Sequence, residues 1–181
     1  MKDATTGTKA DAIELLVSQH REVDQLWSQL QAAQSKTIAK HLIDALSRHD
    51  AIETQLLYPA VRSTPGGEHL ADHSLEEHQR VRELLKGVDG DDPADPEVFA
   101  RFQECLDAVQ HHVEEEESQI FPKLRDALGQ EQLTALGAKL ETAWAVAPTH
   151  PHPSTPNDPL AATAAGIVTG VVDRARDALD K

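Results

Sequence analysis

The chain has 181 residues, of which 39% are hydrophobic, so it is long enough for one domain with a core of its own. Its 31 acidic residues outnumber the 17 basic ones, which opposes non-specific binding to nucleic acid or to an anionic membrane surface. A single cysteine, Cys105, excludes an internal disulfide framework and a cysteine-based zinc cage, and it favours a reducing, cytoplasmic location.

The periodicity of the apolar residues predicts an all-α protein, because no segment alternates with the period of two that a strand requires. Long helices are predicted at about 11–33, 37–58, 68–86 and 95–121. Pro59 should end or kink the second helix, and Gly87 should close the third in the left-handed conformation. Asp95 is predicted to cap the fourth helix, with Pro96 in its first turn. Four long helices with short connections predict an up-down-up-down antiparallel four-helix bundle.

Three shorter features follow the predicted bundle. A helix at about 131–144 should pack on one end of the bundle, and an amphipathic helix is predicted at about 160–179. We therefore divide the chain into a bundle at residues 1–147, a Pro-rich linker at 148–159 and a C-terminal helix at 160–181, which covers the bundle or a partner. The least polar stretch, Leu160–Val172, is shorter than the roughly 20 apolar residues that cross a bilayer.

One spaced pattern, His-x-x-x-Glu-x-x-x-x-aromatic-Pro, occurs in both the second and the fourth predicted helices. Its two copies are His49, Glu53, Tyr58 and Pro59, and His112, Glu116, Phe121 and Pro122. The first and third helices also match each other, with His20 and His78 at equivalent positions. The sequence therefore reads as two helical hairpins of common design, each offering two histidines and one glutamate.

These six polar residues fall on the apolar faces of their helices, where metal ligands are the best explanation for them. Residues four apart lie on one helix face, so each His-x-x-x-Glu pair can present an imidazole and a carboxylate to the same place. Any one such histidine is more often an ordinary core residue. Burying an unpaired carboxylate, however, costs several kcal/mol, so two glutamates among four histidines require a cation. Imidazole and carboxylate ligands suit iron, with manganese and zinc as alternatives.

The remaining histidines are expected to lie outside the metal site. His111 lies about 100° round the helix from the motif histidine that follows it, so we expect it at an interface or in solvent. His41 and His69 have no partner at ligand spacing within this pattern. His150 and His152 lie in the Pro-rich linker and are expected to face water.

At these residues the sequence resembles the hemerythrin-like family, also called the HHE cation-binding domain. The segments HDAIETQLLYP and HHVEEEESQIFP resemble its two signature segments, and the resemblance covers roughly Ala10–Ala127. It implies a non-haem pair of iron ions, oxo- or hydroxo-bridged, with Glu53 and Glu116 as bridging carboxylates. The implied ligands are His20, His49, Glu53, His78, His112 and Glu116.

The sequence departs from the oxygen-carrying members of the family at one ligand. Those proteins have a further histidine one turn before the position of His78, where this chain has Ser74. The open position could be taken by Asp50, by His73 if the helix is distorted, or by solvent. A more open iron weakens the case for reversible oxygen carriage and favours reactivity.

The resemblance implies a protein that reacts with hydrogen peroxide, nitric oxide or oxygen in oxidative or nitrosative stress, with catalase-like peroxide degradation as one possible activity. The alternative is a sensor of oxygen or nitric oxide, or an iron store, without turnover. A third hypothesis is an interaction protein whose linker and last helix dock a partner. The expected partners are a small diatomic or peroxide ligand and at most a second copy of the chain, with no nucleic acid and no membrane.

Overall fold

The computed structural model describes residues 10–155 and 169–178, and all regular secondary structure in these ranges is helical, as predicted. The helices are α1 (Ala12–Ala33), α2 (Lys36–Ile52), α3 (Tyr58–Arg62), α4 (Glu68–Lys86), α5 (Pro96–Glu115), α6 (Phe121–Ala127), α7 (Gln130–Trp144) and α8 (169–178). The part of the C-terminal helix predicted at 160–168 and at 179 lies outside the described residues. No described helix combines the length and the apolar character needed to cross a lipid bilayer.

The four long helices α1, α2, α4 and α5 form the predicted antiparallel bundle, in which α1 packs on α2 and α4 packs on α5. Asp11 caps α1 in a capping box with Glu14, and Asp95 caps α5 ahead of Pro96 as predicted. Only two residues separate α1 from α2. The first of them, Gln34, adopts a left-handed φ of 45° and turns the chain back on itself.

Five-residue π-helical turns lie just before the two motif prolines. The turns Glu53–Leu57 and Glu116–Ile120 connect α2 to α3 and α5 to α6, so the second helix continues beyond Pro59 to Arg62. A π-turn contains one more residue than an α-turn, which adjusts the hydrogen-bond ladder just before a residue that cannot donate to it. Each π-turn begins at a motif glutamate.

The prediction that Gly87 closes α4 in the left-handed conformation is wrong. Gly87 has a φ of −70°, and the left-handed glycine of this loop is Gly90, with a φ of 90°. The backbone continues to turn beyond Gly87 and places Val88 in the core, fully buried. Helix α4 therefore ends before Gly87 as predicted, but the chain turns there without the left-handed conformation.

The buried apolar residues form two clusters separated along the bundle axis by a polar layer. At one end the neighbours of the polar layer are Leu16, Ile52, Leu75 and Ile120. At the other end they are Val23, Leu46, Val81 and Val109. The four motif histidines lie between these two sets in sequence, one on each long helix. Tertiary structure thus brings all four to one level of the bundle.

The Pro-rich linker is held against the bundle by the C-terminal helix, so the expectation that His150 and His152 face water is wrong. His150 is buried, with Nδ1 3.0 Å from Asp89, and Nε2 of His152 lies 3.0 Å from Asp173. The Asp173 carboxylate also accepts hydrogen bonds from the backbone N–H groups of Thr149 and His150, at 3.0 and 3.2 Å. Each of these contacts joins residues more than twenty positions apart in sequence, which is why local composition did not reveal them.

We expect Asp173→Ala to lower the free energy of unfolding by about 1–3 kcal/mol, because it leaves two buried backbone N–H groups without an acceptor. Asp107→Ala removes the same charge from an exposed position of α5 and should change stability by less than about 0.5 kcal/mol. Urea denaturation monitored by circular dichroism measures both. Equal effects of the two substitutions would contradict the role assigned to Asp173.

Helix α7 packs closely on the start of α1 at Gly137. A Cβ atom at this position would lie 2.9 Å from the carbonyl oxygen of Ala10 and 3.0 Å from the backbone nitrogen of Ala12. We expect Gly137→Ala to destabilise the protein by about 1–3 kcal/mol, although alanine is favoured over glycine by about 1 kcal/mol inside a helix. A Cβ at Gly129 meets open space, so Gly129→Ala should cost less than about 1 kcal/mol. A stabilising effect of Gly137→Ala in thermal denaturation would show that α7 can shift freely.

Candidate metal centre

The structure brings the six predicted residues together in the polar layer of the bundle. His20, His49, His78 and His112 come from α1, α2, α4 and α5, and Glu53 and Glu116 are the first residues of the two π-turns. All six are buried, and both glutamates have no exposed surface. Their ligand atoms form two groups, His20, His49, Glu53 and Glu116 on one side and Glu53, His78 and His112 on the other. Glu53 belongs to both groups.

The histidines form two pairs whose Nε2 atoms face each other. These atoms are 3.1 Å apart between His20 and His49, and 2.9 Å apart between His78 and His112. The Glu53 carboxylate spans the two pairs, with Oε1 3.1 Å from Nε2 of His49 and Oε2 3.4 Å from Nε2 of His78.

Glu116 approaches the same pairs from the other motif copy. Its Oε2 atom lies 3.5 Å from Nε2 of His20 and 3.9 Å from Nε2 of His112. Six side chains therefore direct their nitrogen and oxygen donors into one small volume.

Each histidine also has an oxygen atom next to its outer nitrogen, Nδ1. The distances are 2.8 Å from His20 to Glu117, 2.8 Å from His49 to Gln19, 2.8 Å from His78 to Asp50 and 2.9 Å from His112 to Glu77. An acceptor at Nδ1 favours the tautomer that carries its proton there and leaves the lone pair of Nε2 free to bind a metal.

The sequence prediction missed all four outer partners. Gln19 and Glu77 directly precede the histidines of the first and third helices, and Asp50 directly follows His49. Such adjacency does not show which histidine a side chain will contact. Gln19, for example, contacts His49 of another helix instead of its neighbour in sequence.

Burial sets the protonation states of the inner residues. Burial lowers the pKa of His49 and of His78, so both imidazoles are neutral at neutral pH. Burial and the adjacent Glu116 carboxylate raise the pKa of Glu53 well above its usual range. For Glu116, burial acts in the same direction, but the charges of His112 and His20 outweigh it and hold its pKa at about 2.

Buried oxygens in the centre lack hydrogen bonds, which is the property expected of metal ligands. Among the described residues, neither oxygen of Glu53 accepts a hydrogen bond, and Oε2 of Glu116 does not either. Buried polar atoms are nearly always satisfied, because leaving one unpaired costs about 1–3 kcal/mol. A cation among these oxygens and the Nε2 lone pairs would satisfy all of them together, so the residues present fit a metal centre.

Comparison with known proteins agrees with this geometry. The sequence matches the family model of the hemerythrin HHE cation binding domain over residues 11–124. The chain belongs to this family. It is therefore a hemerythrin-like, metal-binding protein, and its buried cluster of histidine and glutamate side chains is able to hold a metal ion.

Two relatives of the chain differ in how much of their own length the match covers. An uncharacterized hemerythrin-like protein of Schizosaccharomyces pombe is 30% identical over 138 residues, which are 75% of this chain and 68% of that protein. A DNA nickase of Nostoc is 29% identical over 128 residues, covering 68% of this chain but only 36% of that protein. A solved structure of a hemerythrin HHE cation binding domain-containing protein from Mycobacterium kansasii shares the fold. Its TM-score is 0.66, with 22% identity and coverage of 75% of this chain and 86% of that one.

The hemerythrin domain of this chain has one further polar group at its centre, Tyr58, which the sequence prediction did not assign to the site. Its hydroxyl oxygen lies 2.8 Å from Nε2 of His78 and 3.2 Å from Nε2 of His112, and it donates a hydrogen bond to Glu116 at 3.0 Å. The signal was present in the motif, because the other copy has Phe121 at this position. Phe121 instead stacks its ring on His20, with ring centroids 5.8 Å apart.

Neither side chain considered for the position left open by Ser74 reaches the centre of the hemerythrin domain. Asp50 lies at the outer nitrogen of His78 and also pairs with Arg82, at 2.7 Å. The His73 side chain is 52% exposed and lies on the outer surface of α4, near Glu115. Tyr58 is thus the additional oxygen atom that the structure brings next to the His78 and His112 pair.

A cavity with apolar walls adjoins the four histidines of the hemerythrin domain. Its apolar lining consists of Val23, Leu46, Val81, Val109 and Val113. Such a lining excludes charged and bulky molecules from the centre but admits small neutral ones.

We expect Glu53→Gln to abolish most metal binding without destabilising the metal-free protein. Glutamine has the shape of the protonated acid that the raised pKa of Glu53 favours, but it is a poor ligand and cannot bridge two ions as a carboxylate does. The measurements are metal content by mass spectrometry and urea denaturation after chelation. Glu76→Gln, at an exposed position of α4, should leave both unchanged. Full metal content in Glu53→Gln would remove Glu53 from the ligand set.

Proposed function

We propose that the centre binds two iron ions. His20 and His49 would hold one ion, His78 and His112 the other, and Glu53 and Glu116 would be shared between them. The observation that carries this proposal is the position of Glu53, which directs one buried oxygen to each histidine pair while neither oxygen accepts a hydrogen bond. A mixed set of imidazoles and carboxylates suits iron, whereas calcium and magnesium prefer oxygen ligands alone.

We also propose that Tyr58 occupies the position left open by Ser74. Burial and the Glu116 carboxylate raise the pKa of its phenol well above the usual value, so the hydroxyl keeps its proton at neutral pH. The phenol can therefore donate a hydrogen bond to a small molecule beside the His78 and His112 pair. Its hydrogen bond to Glu116 holds it there in the absence of such a molecule.

The function that this geometry supports best is reaction with small oxidants, namely hydrogen peroxide, nitric oxide or oxygen, in defence against oxidative or nitrosative stress. Bound iron would supply one- and two-electron redox chemistry, including catalase-like degradation of peroxide. The protein contributes an apolar cavity that admits small neutral molecules, and four outer acceptors that keep the imidazoles oriented. A neutral phenol, and not a histidine, would fill the position left open by Ser74. This difference favours reactivity over reversible oxygen carriage.

We extend the proposal to the rest of the chain. The six inner residues all lie between positions 20 and 116, so we propose that the bundle at 1–147 carries the centre while 148–159 and 160–181 support it. We further propose that the protein does not act on nucleic acid. The similarity to the Nostoc DNA nickase leaves most of that protein unmatched, and acidic residues outnumber basic ones by 31 to 17.

The test of this function compares the purified wild type with a His49→Ala, His112→Ala double variant. We expect about two irons per wild-type chain, with near-ultraviolet charge-transfer bands, and loss of both in the variant, since each substitution removes one ligand of a different histidine pair. His41→Ala, His69→Ala is the matched control, because both of its histidines are exposed and neither belongs to the centre. Metal analysis and absorption spectroscopy measure these differences.

Addition of hydrogen peroxide to the iron-loaded protein then distinguishes an enzyme from a protein that only binds small molecules or iron. Oxygen evolution from hydrogen peroxide by the wild type and the control, but not by the double variant, supports an enzyme. A stable spectral change with nitric oxide or oxygen, without peroxide turnover, supports a sensor or an iron store. A folded wild-type protein that takes up no metal would contradict both.

A further inference from the structure

A second cluster of metal-ligating side chains lies on the outer surface of α4 and α5, beside the inner centre. It consists of His73 and Glu77 on α4 and of His111 and Glu115 on α5. Each helix thus carries a His-x-x-x-Glu pair, the same spacing that places the inner ligands on one helix face. On α5 the outer pair is shifted by one residue from the inner pair, which turns it toward the surface.

The donor atoms of this outer cluster converge across the two helices. Nε2 of His73 lies 3.2 Å from Oε2 of Glu115 and 3.7 Å from Oε1 of Glu77. Nε2 of His111 lies 3.7 Å from that same Glu77 oxygen and 3.8 Å from Oε1 of Glu115. Around a tetrahedral ion with bonds of about 2.0–2.1 Å, neighbouring donors are about 3.3–3.4 Å apart. The ligand atoms of His73, Glu77 and Glu115 lie within 4.8 Å of one another, and rotation of the exposed His111 side chain would bring its imidazole to the same ion.

The chemistry of the cluster selects the kind of ion. Two imidazoles with two carboxylates suit a divalent transition metal such as zinc, iron or manganese, and they suit calcium and magnesium poorly. The ion pairs that the described residues form with Glu77 and Glu115 all come from histidines, which are also metal ligands. Both histidine side chains are accessible, at 52% exposed for His73 and 64% for His111.

Glu77 connects this cluster to the inner centre. Its Oε1 atom faces His73 and His111, while its Oε2 atom lies 2.9 Å from Nδ1 of His112, an inner residue. An ion bound at the outer cluster would be held by the same Glu77 carboxylate that orients His112. The two sites therefore share one side chain.

We propose that His73, Glu77, His111 and Glu115 form a surface site for a divalent transition metal ion, coupled through Glu77 to the inner centre. The site is distinct from the two ion positions of the proposed function. Only the coupling rests on that function, because it requires metal beside His112.

The test counts zinc bound to the full-length protein by equilibrium dialysis and mass spectrometry. The His73→Ala, His111→Ala double variant should bind about one zinc ion fewer per chain than the wild type, at saturating zinc. The matched control is His41→Ala, His69→Ala, which removes two exposed histidines outside the cluster and should bind as the wild type does. The difference between variants is informative whatever the inner centre contains, so failure of the iron proposal would not be mistaken for failure of this one. Equal zinc binding by all three proteins would reduce the cluster to surface ion pairs and overturn the site.

Coupling is tested on the iron-loaded protein. Zinc at the outer site should shift the near-ultraviolet bands of the wild type and leave those of the His73→Ala, His111→Ala variant unchanged. Zinc bound at the outer site without a spectral shift would overturn the coupling through Glu77.

Discussion

The structure depends on two carboxylates that are buried between two pairs of histidines, with three of their four oxygens accepting no hydrogen bond from the described residues. Glu53 and Glu116 are fully inaccessible to solvent, and an unpaired buried charge costs several kcal/mol. Burial and the neighbouring Glu116 carboxylate raise the pKa of Glu53, whereas the charges of His112 and His20 hold the pKa of Glu116 low. A cation would favour the ionised form of Glu53 beside the ionised Glu116, because it offsets the repulsion between the two carboxylates. Metal binding and stability of the bundle are therefore linked.

The surrounding bundle keeps these ligands in place through local distortions and outer contacts. Each motif glutamate begins a π-helical turn, and such turns occur frequently at functional sites. Each histidine has an oxygen beside its outer nitrogen, and three of the four oxygens are carboxylates. The apolar clusters above and below the polar layer keep bulk water away from it. These neighbouring residues thus orient the ligand side chains independently of a bound metal.

The position of Tyr58 distinguishes this centre from a symmetric one. The two motif copies place Tyr58 and Phe121 at equivalent positions, but only the tyrosine has a hydroxyl, and that hydroxyl lies beside the His78 and His112 pair. The His20 and His49 pair is flanked by the Phe121 ring, which stacks on His20. Because the two pairs have different surroundings, two bound ions would differ in reactivity. Glu77 adds to the difference between the two pairs. One of its oxygens lies beside His112, and the other faces His111 on the outer surface.

The sequence by itself determined the four long helices, the Asp95 cap and the six residues that meet at the centre. Apolar periodicity and the spacing of four between His and Glu are properties of single helices, so they can be recognised without a structure. Only the tertiary structure decided the outer partners, the place of Tyr58, the exposure of His73 and the burial of His150, because each depends on residues far apart in sequence. Gly87 shows the same limit, since α4 ends before it as predicted but the left-handed glycine of the loop is Gly90. Local patterns identify which residues face the core, whereas contacts between helices decide what each one touches there.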